Sequence, residues 1–149
     1  MAERTQHVLS AVVPANPQEV RAFYADLDNL KDVHPLVVAV RTVSRVETGH
    51  GHTQTYRVTD RIRVSRLTLR TSYTARVSVT DTGEITSEAR QFPGVRLRSV
   101  VTFDPLNPGT LVTERITIQA PPPLAAFTTR QALAAHRAML AGIRQHFGG

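Results

Sequence analysis

The sequence predicts an α+β fold: a seven-stranded, mostly antiparallel sheet, one long C-terminal helix laid against it, and two short helices between the first two strands. Three observations predict it. Runs rich in Val, Ile, Thr and Tyr alternate with period two through the middle of the chain. Turn chemistry separates them at Thr48-Gly49-His50-Gly51, Thr80-Asp81-Thr82-Gly83, Phe92-Pro93-Gly94 and Asn107-Pro108-Gly109, where glycine makes φ > 0 cheap. An Ala-rich amphipathic segment then closes the chain.

Residues 5–13 form the first strand. Asn16 caps a helix with Pro17 at its first position and Glu19 in its first turn, running to about Tyr24. Asp26 or Asp28 caps a second short helix, which ends before Pro35 because the residue preceding proline is pushed out of the α region. Strands follow at 36–46 and 53–63. The clearest alternation spans 67–79: Leu67, Leu69, Thr71, Tyr73, Ala75, Val77 and Val79 share one parity, and Arg66, Arg70, Arg76 and their Thr and Ser neighbours take the other. Successive strand side chains point to opposite faces, so this strand has a buried face and a wet one. Residues 84–90, 95–103 and 110–119 complete the sheet; Val95, Leu97, Ser99, Val101 and Phe103 oppose Arg96, Arg98 and Thr102. The last helix runs from Pro122-Pro123 to Phe147, where Gly148-Gly149 stops it, with Phe127, Leu133, His136, Leu140, Ile143 and Phe147 on one broad stripe.

A length of 149 residues with 41% hydrophobic content suits one domain, residues 1–149, with one core. No internal repeat or low-complexity tract divides it. Cysteine is absent, which excludes disulfides, Cys-based zinc sites and a thiol nucleophile, and fits a cytoplasmic setting. No secretory leader is expected over residues 1–13. The longest aliphatic run, 36–40, falls far short of the ~20 residues a membrane span needs. G-x-S-x-G, G-x-G-x-x-G and G-x-x-x-x-G-K-[ST] are all missing, which argues against serine hydrolysis, dinucleotide binding and ATP chemistry, and no cofactor is expected.

Charge is the other informative quantity. Eighteen Lys+Arg against 12 Asp+Glu leave +6, and Lys31 is the only lysine. Arg57, Arg61, Arg63, Arg66, Arg70 and Arg76 crowd into one stretch, a pattern that attracts anions or nucleic acid. Yet Arg66, Arg70 and Arg76 share an outer parity with Thr and Ser, as a solvated sheet face does. Sheets that read RNA stack bases on outward aromatics, whereas Tyr73 points inward, so nucleic acid is not the expected partner.

Several segments carry a family likeness. Val12-Val13-Pro14-Ala15-Asn16-Pro17-Gln18-Glu19-Val20, then Leu27-Asp28-Asn29-Leu30 leading to His34-Pro35, then Gly109-Thr110-Leu111-Val112-Thr113-Glu114 and the closing helix resemble the START-like, helix-grip (SRPBCC-type) superfamily of polyketide cyclases/dehydrases, lipid-transfer domains and related pollen allergens. The resemblance covers nearly the whole chain. It implies a curved sheet wrapped on the final helix, with a cavity between them that holds hydrophobic or amphipathic small molecules. These motifs are architectural; they specify fold well and activity poorly.

A few polar side chains fall on the apolar faces. Glu114 is in phase with Val112, Ile116 and Ile118; Asp60 with Tyr56, Val58 and Ile62; Tyr73 points inward, and His136 sits on the helix stripe. An unpaired buried carboxylate costs several kcal/mol, so such groups are paired, protonated or facing a wet cavity. Tyr56, Asp60, Tyr73, Leu97, Glu114, Leu133, His136 and Leu140 are therefore the candidate ligand-binding set, with His34 and Pro35 at the cavity mouth in the resembled fold. Each has a structural alternative. Glu114 and Asp60 can be satisfied by structural hydrogen bonds or sit at a sheet rim, His136 can be a hydrogen-bonded core residue, Tyr56 and Tyr73 can pack with wet hydroxyls, and His34-Pro35 can be a turn. His50-Gly51-His52 has no neighbouring Cys, Asp or Glu to complete a metal shell, and no metal is expected. Two functions stay open: a carrier or sensor of a hydrophobic or amphipathic small molecule, or a polyketide cyclase/dehydratase-type enzyme using Glu114 or Asp60 with His136 as acid and base. Oligomeric state is not legible.

Overall fold

A computed structural model describes residues 3–148, leaving Met1, Ala2 and Gly149, and with Gly149 half of the helix-stop signal, outside the described residues. The elements are β1 (Glu3–Val13), α1 (Pro17–Ala25), α2 (Leu27–Val33), β2 (Val37–Thr48), β3 (Gly51–Val64), β4 (Leu67–Thr80), β5 (Ile85–Gln91), β6 (Val95–Pro105), β7 (Thr110–Ala120) and α3 (Pro122–Gly148). One sheet holds all seven strands in the order β1-β7-β6-β5-β4-β3-β2. Every neighbouring pair is antiparallel. Hairpins and short loops join β2 through β7, and α1 and α2 carry the chain from one sheet edge to the other.

Local chemistry sets these boundaries. Asn16 accepts the Glu19 backbone N–H at 2.9 Å and donates from its amide to the Glu19 carboxylate at 2.7 Å, a reciprocal cap on α1. Asp26, rather than Asp28, caps α2 by accepting the Asp28 N–H at 3.0 Å. His34 ends α2 by donating its N–H to the Leu30 carbonyl at 2.7 Å. At the β2–β3 turn, Gly51 has φ +147° and its missing Cβ would lie 1.9 Å from the Val79 carbonyl oxygen.

The inner sheet face is filled unevenly. Val13, Val20, Tyr24, Val101, Val112, Met139 and Ile143 are buried together at one end. Each large apolar side chain there contributes about 1.5–3 kcal/mol. The buried residues of α3, namely Ala135, Met139, Leu140 and Ile143, run from its midpoint onward. At Gly142 an added Cβ would stand 3.0 Å from Val33, so glycine lets α2 lie directly on α3. The first half of α3 stands off the sheet.

Two expectations shift accordingly. The 67–79 alternation holds, but Leu67 and Leu69 at its start are 65% and 46% exposed, because the β3–β4 hairpin reaches past the cover of α3. Leu133 is only half-buried. On the outer face, Arg57, Arg61, Arg63, Arg66, Arg70 and Arg76 are all exposed, as the parity reading expects. Glu88 lies within ion-pair distance of Arg90, Arg96 and Arg98 there. Among the described residues no helix is long and apolar enough to cross a membrane.

Gly51→Ala forces a side chain into the β4 backbone at a φ that L residues avoid. It is expected to lower stability by about 2–4 kcal/mol, read as a reduced urea midpoint. An unchanged midpoint would show that this turn relaxes freely.

Candidate functional site

Where α3 stands off, a cavity of about 420 Å³ opens against the ends of β3 to β6. That volume lies in the range of small-molecule sites. Its walls are largely apolar, with Leu36, Ile62, Leu69 and Leu97 facing Leu124, Phe127, Ala132 and Ala135 of α3. Exposed Phe92, at 93%, stands at the rim. A polar cluster of His34, Asp60, Thr71, Tyr73 and His136 interrupts the walls, and Gln91, Thr128 and Gln131 are the other polar lining residues.

Glu114 lies behind that cluster, fully buried on β7. Its carboxylate accepts the Tyr24 hydroxyl of α1 and faces His136 Nδ1 of α3, which is 3.3 Å from each carboxylate oxygen. A carboxylate only accepts, so the hydrogen of this contact belongs to Nδ1. That leaves His136 Nε2 without a protein partner among the described residues. Burial first, then the Glu114 charge, push the Tyr24 hydroxyl well above its ordinary pKa, so it remains a donor. Each partner comes from a different element, and Glu114 ties all three together.

His34 meets His136 edge to face, with ring centroids 5.8 Å apart. The Leu36 N–H approaches His34 Nδ1 at 3.3 Å, which puts the neutral ring's hydrogen on Nε2. Burial, reinforced by His136, lowers the His34 pKa to about 4. Asp60, 8% exposed, moves the other way. Burial raises its carboxyl to about 6, against the opposing pull of the Tyr73 hydroxyl and His136. Tyr73 is raised too, by burial first and then by Asp60.

Of the sequence candidates, Asp60, Tyr73, Leu97, His34 and His136 line the cavity, and Glu114 supports it from behind. Four do not line it. Tyr56 is on the inner face of β3 but buried away from the cavity, near Asp26 and Leu27. Four residue steps along the strand separate it from Asp60, roughly 13 Å. Leu140 packs into the core one helical turn beyond His136, and Leu133 faces away from the cavity. Pro35 is exposed, while its neighbours His34 and Leu36 form the wall.

Tyr24, Thr71 and Gln131 are the residues sequence reasoning missed. Val20 and Tyr24 sit four apart on one helix face, and Thr71 shares the parity of Tyr73, so both signals were available. His50 and His52 flank the β2–β3 turn, and no cluster of metal-ligating side chains occurs among the described residues. A groove of about 990 Å³ also runs between β1 and the second half of α3; it is a solvent-open trough whose lining includes Ser10, Arg137, Arg144 and Gln145 but no histidine or carboxylate.

Comparison with known proteins agrees with this architecture. Residues 4–148 match the model of a family described as polyketide cyclase/dehydrase and lipid transport. Among solved structures, TTHA0849 from Thermus thermophilus is 17% identical with a TM-score of 0.75, covering 95% of each chain. The Zhui aromatase/cyclase from a Streptomyces species is 17% identical with a TM-score of 0.63, covering 96% of this chain and 94% of that one. A STAR-related lipid transfer protein from Xanthomonas axonopodis is 15% identical with a TM-score of 0.66, covering 97% and 86%. At these identities the likeness is one of fold. No curated protein sequence matches the chain.

The opposed pKa shifts have a measurable consequence. Asp60 is held at about 6 against an ordinary 3.8, so its protonated form stabilises the fold fully below about pH 4, and this is lost as pH rises through about 6. His34, depressed to about 4 from 6.5, does the reverse: its contribution is present above about pH 6.5 and lost as pH falls toward about 4. Asp60→Asn removes only the first. Between about pH 4 and 7.5, wild type is expected to lose up to about 3 kcal/mol relative to the variant in urea unfolding. A constant difference across that range contradicts a buried, ionising Asp60.

Proposed function

The chain belongs to the polyketide cyclase/dehydrase and lipid transport family, and from that premise we propose that it binds an amphipathic small molecule between sheet and α3, as a carrier or sensor. The observation that carries this reading is the cavity itself. It is walled mainly by aliphatic and aromatic side chains, with its titratable groups gathered in one cluster. An apolar ligand body gains ~25 cal/mol per Å² of surface removed from water, and a few polar contacts then fix its orientation.

A second reading, acid/base catalysis in the same cavity, is favoured by one specific feature. Glu114 orients His136 through Nδ1 and leaves Nε2 free, the arrangement of a general base. In that reading Nε2 removes a proton from the carbon beside a ligand carbonyl, and the Tyr73 hydroxyl turns from Asp60 to polarise that carbonyl. Tyr56 takes no part, since it does not line the cavity. Hydrogen–deuterium exchange at the central carbon of a naphthyl 1,3-diketone separates the readings. Acceleration that His136→Asn abolishes supports the enzyme; exchange at the buffer rate supports the carrier.

The neutral fluorophore N-phenyl-1-naphthylamine tests binding itself. Ala132→Phe fills the cavity and is expected to weaken its affinity at least about tenfold, whereas Arg137→Ala in the external groove leaves affinity unchanged. The opposite pattern would move the site to the groove.

A further inference from the structure

Two side-chain atoms in the polar cluster are buried without a hydrogen-bond partner among the described residues: Asp60 Oδ1 and Thr71 Oγ1. They are not independent. Asp60 and Thr71 face one another across the β3–β4 register, and both line the cavity. Cross-strand neighbours on one face lie close enough for a single small group to reach both. One is an acceptor by nature; the other is a hydroxyl whose hydrogen needs an acceptor. An unsatisfied buried polar group is costly, and two side by side against a cavity mark a place where a ligand completes the network.

We propose that the cavity selects ligands presenting a hydroxyl group, alcohol or phenol, to Asp60 and Thr71, and rejects ligands presenting a carboxylate. This rests on the small-molecule reading above. A hydroxyl donates one hydrogen and accepts another, so it serves both orphaned atoms at once. The terminal torsion of an aspartate is broad, so its free oxygen swings toward such a group at little cost. A ketone accepts from Thr71 and leaves Asp60 unserved. An ammonium donates to Asp60 but offers Thr71 no acceptor, so it serves only one of the two orphaned atoms. A carboxylate puts a second anion against Asp60, with the Glu114 carboxylate already behind His136. The Tyr73 hydroxyl is the remaining group facing Asp60, and it is a donor already directed at that carboxyl. At pH 7.5, above the value of about 6 to which burial raises it, Asp60 is mostly ionised and a strong acceptor.

Four probes of one shape test this by displacement of N-phenyl-1-naphthylamine at pH 7.5: 2-methylnaphthalene, 2-naphthol, 2-naphthoate and 2-naphthylmethylamine. The naphthol is expected to bind about tenfold to a hundredfold tighter than the methyl compound, and the naphthoate weakest of the four. Thr71→Val is expected to cut the naphthol advantage about fivefold without changing the affinity for 2-methylnaphthalene. Asp60→Asn removes the repelling charge and is expected to strengthen naphthoate binding at least about tenfold. Equal affinities for naphthol and methylnaphthalene, with water serving the pair in both complexes, overturn the inference. So does tighter binding of the amine, or a naphthol advantage untouched by both variants. In those cases binding itself stands. Failure of all four probes and of the fluorophore overturns the small-molecule reading as well.

Discussion

A fully buried carboxyl group on β7, one strand in from the sheet edge, sets the geometry of everything around it. Glu114 of β7 is served by Tyr24 from α1 and His136 from α3, so one side chain ties the sheet to both helices. Leaving a buried acceptor without its hydrogen-bond partner costs about 1–3 kcal/mol, more than an ordinary packing contact. The helix therefore has little freedom to slide or rotate. Its second half is drawn onto the core, where Met139 and Ile143 are buried, and its first half projects over the open ends of β3 to β6.

The cavity follows from that clamp together with a shortage of large side chains to fill it. The chain holds 5 Phe, 3 Tyr and no Trp. Of these, Phe92 is spent on the rim, and Tyr24 and Tyr56 are buried away from the cavity. Alanines at 132 and 135 keep the wall of α3 thin where it crosses the cavity. Close packing elsewhere makes the gap a property of the fold rather than looseness, since a well-packed core does not collapse into it without moving Glu114. The polar cluster sits where the closed core ends and the cavity begins. His136 belongs to both: Nδ1 faces the buried carboxylate and Nε2 is free on the cavity side.

Much of this was legible in the residues. The period-two pattern assigned Asp60, Tyr73, Leu97 and Glu114 to the inner face, and the Asn16-Pro17 cap and the alanine-rich stripe placed the first and last helices. Periodicity reports a face, however, and not a height along the strand. Tyr56 and Asp60 share one face of β3 yet sit four positions apart along it, and only the position of α3 decides which stretch is filled. The same blindness covers the helix: a broad stripe admitted Leu133 and Leu140, but one turns away and the other passes beyond the cavity. Tyr24 was invisible as a partner because its contact with Glu114 spans 90 residues of sequence. The pairing of Asp60 with Thr71 depends on the β3–β4 register, which alternation does not specify by itself.

The central claim is that the space beneath the first half of α3, and not the surface trough beside β1, is where this protein meets a small molecule. Two-dimensional amide NMR during titration with N-phenyl-1-naphthylamine tests it most directly. The account predicts shifts confined to the backbone around Leu97, Thr128, Ala132 and His136, with the side-chain amide of Gln131 among the most affected. Shifts centred instead on Ser10, Ala11 and Arg144, with the first half of α3 silent, would contradict it.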